Sequence, residues 1–529
     1  MSVLDKQAVH VVDSRQSYGA EKNILALDGP TDVNSQQFQP NALNTSQLTF
    51  NVNTPSEFSG TNKRVQYHLQ FLVDFSGTPT TGQTNLLDTV LIGTSDNCAD
   101  QIISNERVTI GNVTNNVQRS QVGVELSRIN KSTAYDRMAD VGMRDFATNF
   151  LPWVNTNRNV IGQTYDVNLS DQIANPRTNR VTILANTPTT AQVAVDIYFY
   201  SRVSPFSDAN GDSPAIRKIT NFISVLIFEN DLMRLFSYTQ NTGLDLNIAN
   251  VQMADAELEV EFITPSADSL RFYKPADDFY SYSQIQSWIT PSSTLAASTS
   301  ATSRSTRMLT FPQIASNTIP SKIIVACRNV QSLLPKSGAQ LPRFYYPIQN
   351  NGIRLTFNNR NVLQGLSQRQ MYNMSVRNGL SNCTFDQFTG RDITYNQAAG
   401  TYVDGVNYVL GGCPLIIDPS LDLGISQDML ANDTHANWSL SGSITVENQT
   451  YSQQTVELIL IAVYDGLLVS DGNTQVVIGL LDRQSVAESF QSAKDPVILH
   501  RAGGDDDLNG SSFFSTLGNL AKKVGSKIV

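Results

Sequence analysis

Apolar and polar residues alternate with period two along much of this chain, the mark of strands with one face buried. Leu48-Thr49-Phe50-Asn51-Val52 alternates, and Pro55 stops it. Val65-Gln66-Tyr67-His68-Leu69-Gln70-Phe71 alternates and then runs on through Leu72-Val73, as a strand entering a core does. Residues 222–228 are mainly apolar and 256–262 alternate; both read as closing strands of a first unit, and 476–481 reads as similar in a second. Residues 181–185 and 193–200 predict a hairpin around Thr187-Pro188-Thr189-Thr190. Residues 444–447 and 455–464 predict another, around 449–453. Helical spacing is confined to short inserts. Val122, Leu126 and Ile129 fall at i, i+4 and i+7 within 117–139, and Leu366, Met371, Met374 and Val376 lie in a segment ending near Gly379.

The pattern recurs. Val181-Thr182-Ile183, Val193-Ala194-Val195 and Ser207-Asp208-Ala209-Asn210 are matched by Ile444-Thr445-Val446, Val456-Glu457-Leu458 and Ser470-Asp471-Gly472-Asn473, all at an offset of 263 (444 − 181, 456 − 193, 470 − 207). Val108-Thr109-Ile110 with Asn116-Val117 is matched by Ile353-Arg354-Leu355 with Asn361-Val362, at 245 (353 − 108). Leu48-Thr49-Phe50 is matched by Leu309-Thr310-Phe311, at 261 (309 − 48). The matches keep one order, so a duplicated all-β unit is expected, with 181–200 superposing on 444–464.

Five segments follow. Residues 1–40 form a polar extended arm, 41–265 a first β-sandwich, 266–307 a polar linker, 308–485 a second sandwich and 486–529 a tail. Residues 290–306 are nearly all Ser, Thr and Ala and can bury little apolar area. The Gly- and Asn-rich stretch 379–414 reads as a surface loop. In the tail, Asp505-Asp506-Asp507 and flanking glycines precede an amphipathic helix. Phe513, Leu517, Leu520, Ala521, Val524 and Ile528 share one face, Lys522, Lys523 and Lys527 lie outside it, and Ser511 or Ser512 offers a cap.

Composition narrows the function. Charged residues are 16% of the 529, too few for long surface helices, and Asn, Gln, Ser and Thr take their place. A net charge of −10 argues against a surface that coats nucleic acid, while leaving room for a local basic face. Cys98, Cys327, Cys383 and Cys413 form no CxxC pair and have no His at zinc-ligand spacing. Buried thiols in a reducing compartment are the expectation, with a single disulfide left open. The N-terminal residues lack the apolar core of a secretory signal, so sequons such as Asn437-Trp438-Ser439 carry little weight. No apolar run reaches membrane-spanning length.

The chemistry of an enzyme is hard to find. There is no GxxxxGK[ST], HExxH or GxSxG, and the four histidines are His10, His68, His435 and His500. His68 sits on the polar phase of its strand, where a hydrogen-bonded or solvent-facing role outweighs a ligand role. Asp277-Asp278 are chain neighbours, not a pair facing a substrate, and Asp471-Gly472-Asn473 reads as a turn. Trp438 and Phe344-Tyr345-Tyr346 suit stacking on sugars or bases, or core packing, the commoner use. No catalytic, cofactor-binding or metal-binding residues are expected, and the chain reads as no enzyme.

The strand–helix grammar repeated across 40–485, the unit size, the polar linker and the Asn/Gln/Thr-rich composition resemble the double-jelly-roll major capsid proteins of tailless icosahedral DNA viruses, the adenovirus, virophage and Polinton-like group. The resemblance implies two tandem jelly rolls with short inserted helices, plus the C-terminal amphipathic helix. It implies a structural subunit made inside the host cell, not secreted, and carried in the virion. Three copies would form a pseudo-hexagonal capsomer, and capsomers would contact one another, minor capsid proteins and vertex proteins. The tail resembles membrane-disturbing segments of adenovirus-type internal proteins. Phe513, Phe514, Leu517, Leu520, Lys522, Lys523, Val524 and Lys527 would then meet a membrane or the genome, though a plain docking helix fits the same pattern. Gly503-Gly504 resembles a maturation cleavage site of that group, but Arg501 stands where the group prefers a bulky apolar residue. Two other readings remain open: a vertex or receptor-binding virion protein, and a carbohydrate-binding or carbohydrate-cleaving β-sandwich.

Overall fold

Large inward side chains at every second position build two β-sandwiches. The computed structural model describes residues 31–126, 179–207, 215–238, 243–265, 278–299, 304–330, 345–380, 385–389, 394–396, 401–403, 413–448, 453–470 and 474–484, less a few positions within these ranges. The first unit holds β1 (Thr31–Phe38), β2 (Gln47–Asn53), β3 (Gly60–Thr78), β4 (Ile92–Thr94), β5 (Ile103–Ile110), β6 (Val113–Val117), β7 (Asn179–Asn186), β8 (Thr190–Tyr200), β9 (Asn221–Phe228), β10 (Phe236–Tyr238) and β11 (Asp245–Pro265). Its two main sheets run β1-β11-β3-β8-β7 and β2-β9-β5-β6, and β4 pairs with β10. Leu48, Phe50 and Val52 of β2 face Tyr67, Leu69, Phe71 and Val73 of β3 in one core, all buried.

The second unit holds β12 (Asp278–Ile289), β13 (Ser293–Leu295), β14 (Thr306–Thr318), β15 (Lys322–Asn329), β16 (Ile348–Phe357), β17 (Arg360–Gln364), β18 (Thr394–Asn396), β19 (Thr401–Val403), β20 (Leu415–Ile417), β21 (His435–Glu447), β22 (Gln454–Ser470) and β23 (Thr474–Ile478). Its sheets run β12-β22-β15-β20 and β14-β21-β16-β17, with β13 and β23 paired to β22 and a separate β18-β19 ribbon.

The two strand orders coincide. β2-β9-β5-β6 maps onto β14-β21-β16-β17, and β1-β11-β3-β8 maps onto β12-β22-β15-β20, each in chain order. The chain is therefore two tandem jelly rolls of one topology. Register confirms one of the weaker sequence matches and shifts the other. Phe50 pairs with Ser224 and Phe311 with Gly442, so Leu48-Thr49-Phe50 and Leu309-Thr310-Phe311 are equivalent. The hairpin ends are Ile110 opposite Val113 and Phe357 opposite Arg360, so 108–110 and 353–355 lie in equivalent strands, two residues out of register.

The strongest sequence match was misleading. β7 and β8 pair as a hairpin, but β21 and β22 lie in different sheets, so no hairpin forms around 449–453 and 181–200 does not superpose on 444–464. The counterparts of β21 and β22 are β9 and β11. Inward β-branched alternation looks alike in every strand of a sandwich, so the offset of 263 registered alternation, not position. β23 is likewise an addition at β22, not a counterpart of β9 or β11. Two further expectations change. The end of the arm is an edge strand, β1 on β11. Within the expected linker, β12 pairs along its whole length with β22; the alternation of Tyr280 and Tyr282 was masked by Ser281 and Ser283 beside them.

The inserted helices are short: α1 (Cys98–Ile102), α2 (Arg119–Leu126) and α3 (Gln368–Arg377). α2 occupies the start of the helix expected over 117–139, whose remainder lies outside the described residues. α3 opens with a capping box in which Ser367 and Gln370 satisfy each other's backbone N–H. Met371 and Met374 are buried, while Val376 is exposed. The β16–β17 turn places Asn358 and Asn359 at φ 46° and 62°, where Asn is tolerated.

Gly442 sits between Phe311 and Leu355, and a Cβ there would come 2.4 Å from the Arg354 carbonyl oxygen. Its equivalent in the first unit is another small residue, buried Ser224. Gly442→Val should cost at least about 1–3 kcal/mol in denaturant unfolding. Asp433, at φ 62°, is pushed up to about 7 by burial, with Asp465 and Asp418 adding repulsion. A folded-state pKa above the unfolded value means stability falls as pH rises from the ordinary carboxylate range through about 7. Asp433→Asn should therefore raise Tm at about pH 8 and change it little below about pH 4.

Candidate functional site: the joint between the two jelly rolls

Val456-Glu457-Leu458-Ile459-Leu460-Ile461-Ala462 on β22 and Ile323-Ile324-Val325-Ala326-Cys327 on β15 are almost continuously apolar. Such runs belong to strands buried on both faces. Ile323, Val325, Cys327, Leu458 and Leu460 point into the second unit's own core. Ile324, Ala326, Ile459 and Ile461, joined by Tyr280, Tyr282 and Leu468, point the other way into the core of the first. One sheet thus serves two cores, and the jelly rolls share it as a common wall.

Charge completes the wall. Arg328, at the end of β15, sends Nη1 to Glu125 of α2 and Nε to Glu457 of β22, each at 2.8 Å. It also donates to the Gln121 carbonyl, and the Tyr345 hydroxyl donates to Glu125 at 2.9 Å. Burial alone would lower the Arg328 pKa; Glu125 and Glu457 outweigh it and hold the guanidinium charged. Around this centre Asn115 donates to the Ser204 and Ser283 carbonyls at 2.9 and 3.1 Å, the Arg217 amide to the Tyr280 hydroxyl at 2.9 Å, and the Ser470 hydroxyl to the Arg217 carbonyl at 2.8 Å.

A second buried network anchors α2 from behind. Arg119 bonds Asp100 and Glu106, both at 2.8 Å, and the Tyr200 carbonyl at 3.0 Å, with its guanidinium over the Phe199 ring. Glu106 also accepts from Tyr67, Ser201 and the Arg202 amide. Arg119 too is held charged against burial by its two carboxylates. Among the described residues Arg119 Nη2 and Arg328 Nη2 find no hydrogen-bond acceptor, but the remaining bonds of the two networks tie α2 to both units.

Sequence reasoning found none of these charged residues, because a lone Arg or Glu inside a strand or short helix carries no local signal of a partner 129 or 203 residues away. The aromatic candidates are structural. Trp438 is buried, stacks on Phe357 and donates to the Thr318 carbonyl at 2.5 Å, and Tyr345 and Tyr346 are buried. Cys98 and Cys327 are buried, Cys413 is half-buried, and burial pushes the Cys327 thiol far up. His68 stacks on Tyr198 and lies 3.4 Å from Asp196; with Asp255 and Glu257 it forms the one group of potential metal ligands among the described residues. The tail residues Phe513, Phe514, Leu517, Leu520, Lys522, Lys523, Val524 and Lys527, with Gly503 and Gly504, lie outside the described residues. Among the described residues no helix is long and apolar enough to cross a membrane.

Comparison with known proteins agrees with this architecture. Residues 288–466 match the family model of the major capsid protein V20 C-terminal domain. That span begins at the end of β12 and runs into β22, so it includes most of the common wall. The chain is a double-jelly-roll major capsid protein, a structural component of a virion. Its particular similarity is to the putative capsid protein V20 of Sputnik virophage, 23% identical over 99% of this chain and 89% of that one. The virion structure of Sputnik virophage contains a chain of the same fold, with a TM-score of 0.74 at 21% identity, covering 94% of this chain and 98% of that one. The mavirus major capsid protein follows at 0.64 and 14%, covering 89% and 95%. Capsid proteins of this type assemble with themselves into capsids.

Removing Arg328 leaves Glu125 and Glu457 without their cation in a dry wall. Arg328→Met should cost roughly 3–5 kcal/mol in urea unfolding. Replacing all three, as R328M with E125L and E457L, should recover most of that loss, since an apolar wall needs no charge.

Proposed function

We propose that three copies of this chain form a capsomer of six jelly rolls, and that capsomers tile an icosahedral shell. The observation that carries this reading is the joint itself: two topologically equivalent units meet through different surfaces, the end of one against the flank of the other. Contacts of that head-to-tail kind build rings when the rotation closes. Three chains then supply six similar wedges around one axis. The role is structural, with no catalytic step, and the minor capsid and vertex proteins of the particle would contact the capsomer rim.

The tail extends this reading. Phe513, Phe514, Leu517, Leu520 and Val524 form an apolar stripe and Lys522, Lys523 and Lys527 a basic edge, which suit an anionic membrane or genome inside the shell, or the capsomer base. Gly503-Gly504 is the candidate cleavage point between body and tail.

Sedimentation of the purified chain tests the proposal. A mass of three chains, with six-lobed particles by negative-stain microscopy, is the expected result. A chain that stays monomeric at high concentration and gives no capsomers overturns it.

A further inference from the structure

We propose that the contact between copies reuses the internal joint with its charges reversed: α3 of one copy docks on the outer face of the β1-β11-β3-β8-β7 sheet of the next. This rests on the ring of copies proposed above and names the surfaces that close it.

Topology identifies both partners. Within the chain, α2 docks at the Arg328 end of the outer face of β12-β22-β15. β1, β11 and β3 are the first unit's equivalents of those three strands, so their outer face is the equivalent acceptor. α3 is the equivalent of α2. Each helix follows the second strand of the equivalent hairpin, β6 or β17, and each ties into β8 or its counterpart β20. Arg119 of α2 bonds the Tyr200 carbonyl at the end of β8, while Ser375 of α3 accepts from the Ile416 amide of β20. α2 is buried at Arg119, Ser120 and Val122 to Glu125, Arg119 against its own unit and Glu125 against Arg328 and Tyr345 of the second, whereas α3 buries only Met371, Met374 and Ser375.

The chemistry of the two exposed surfaces is complementary. On the acceptor face His68 lies beside Asp196, Asp255 and Glu257, with Glu259 on the same face of β11 and Asp74 further along β3, all half-buried or exposed on three neighbouring strands. The negative field there is strong enough to help burial raise the Tyr198 pKa, with Asp196, Glu257 and Asp255 all contributing. The exposed side of α3 offers Arg369, Arg377 and the apolar Val376, and no acidic residue. Arg369 is held over the Phe385 ring, and Arg377 is paired with Asp422, so both guanidinium groups are positioned before docking.

The sign is opposite to that of the internal joint, where the helix supplies Glu125 and the sheet supplies Arg328. That reversal gives specificity. Glu125 of α2 would be repelled by the acidic face of another copy, and the arginines of α3 by Arg328, which disfavours either helix in the other's seat. The difference in polarity also fits the two lifetimes. The internal wall is made once during folding and is apolar. A face that must stay soluble until a second copy arrives is polar and charged.

The test uses the full chain in sedimentation velocity at low and high salt. Reversing the helix (R369E with R377E) or the sheet face (D255K with E257K) should weaken self-association about tenfold or more. The chain carrying all four substitutions should regain it, because a reversed helix then meets a reversed face; a merely misfolded helix or sheet would not recover. Added salt should weaken the wild-type contact. If the wild-type chain associates but neither pair of substitutions moves the equilibrium, or the fourfold variant stays as weak as the pairs, this docking surface is wrong while the ring stands. If the wild-type chain does not associate at all, both fall.

Discussion

One sheet with two dry faces governs this molecule. β15 and β22 hand alternate side chains to different jelly rolls, so the core of the first unit is not complete without the second. The dependence is geometric before it is energetic. A strand has only two sides, and once both are buried its neighbours must arrive as preformed surfaces. The first unit therefore presents a fixed end built from α2, Asn115 and the 201–205 segment, and the Arg119 network is what fixes it.

Buried ions inside such a wall are poor stabilisers, since desolvation consumes most of their attraction. Their value here is alignment. Arg328 reaches Glu125 on one unit and Glu457 on the other, so its bonds are all made only when the two jelly rolls stand at one mutual setting. A wall of Ile, Ala and Tyr alone would tolerate sliding. Shell geometry does not, because a small error at each joint accumulates around a ring and across a lattice.

Much of this was legible in the sequence, and unevenly. Strand periodicity located most elements, and the humble match of Leu48-Thr49-Phe50 to Leu309-Thr310-Phe311 proved true in strand and register. The most persuasive match, across 181–195 and 444–458, failed because Val and Ile at alternate positions record burial, not place in the topology. β12 escaped because serines flank its tyrosines, and the linker reading followed from composition alone. α3 was found by its apolar residues, but apolarity did not tell that the helix turns Val376 to solvent while burying Met371 and Met374. The joint itself was invisible: its charged residues lie far apart in the chain, and only pairing of whole sheets brings them together.

The two-sided burial of β22 has a consequence for how the strand finds its place. In an ordinary sandwich a shift by one residue would throw apolar side chains into water, and that penalty enforces the correct alignment. Around 458–462 no such penalty exists, because Leu, Ile and Ala occupy every position and a slipped strand would be as greasy on either side. Polarity is silent there, and alignment has to be read from somewhere else. Glu457 stands directly opposite Arg328 in the ladder, one step from the end of the ambiguous run. That cross-strand pair is the punctuation mark of the strand: a chain that slips by one residue separates the charges and strands both in hydrocarbon.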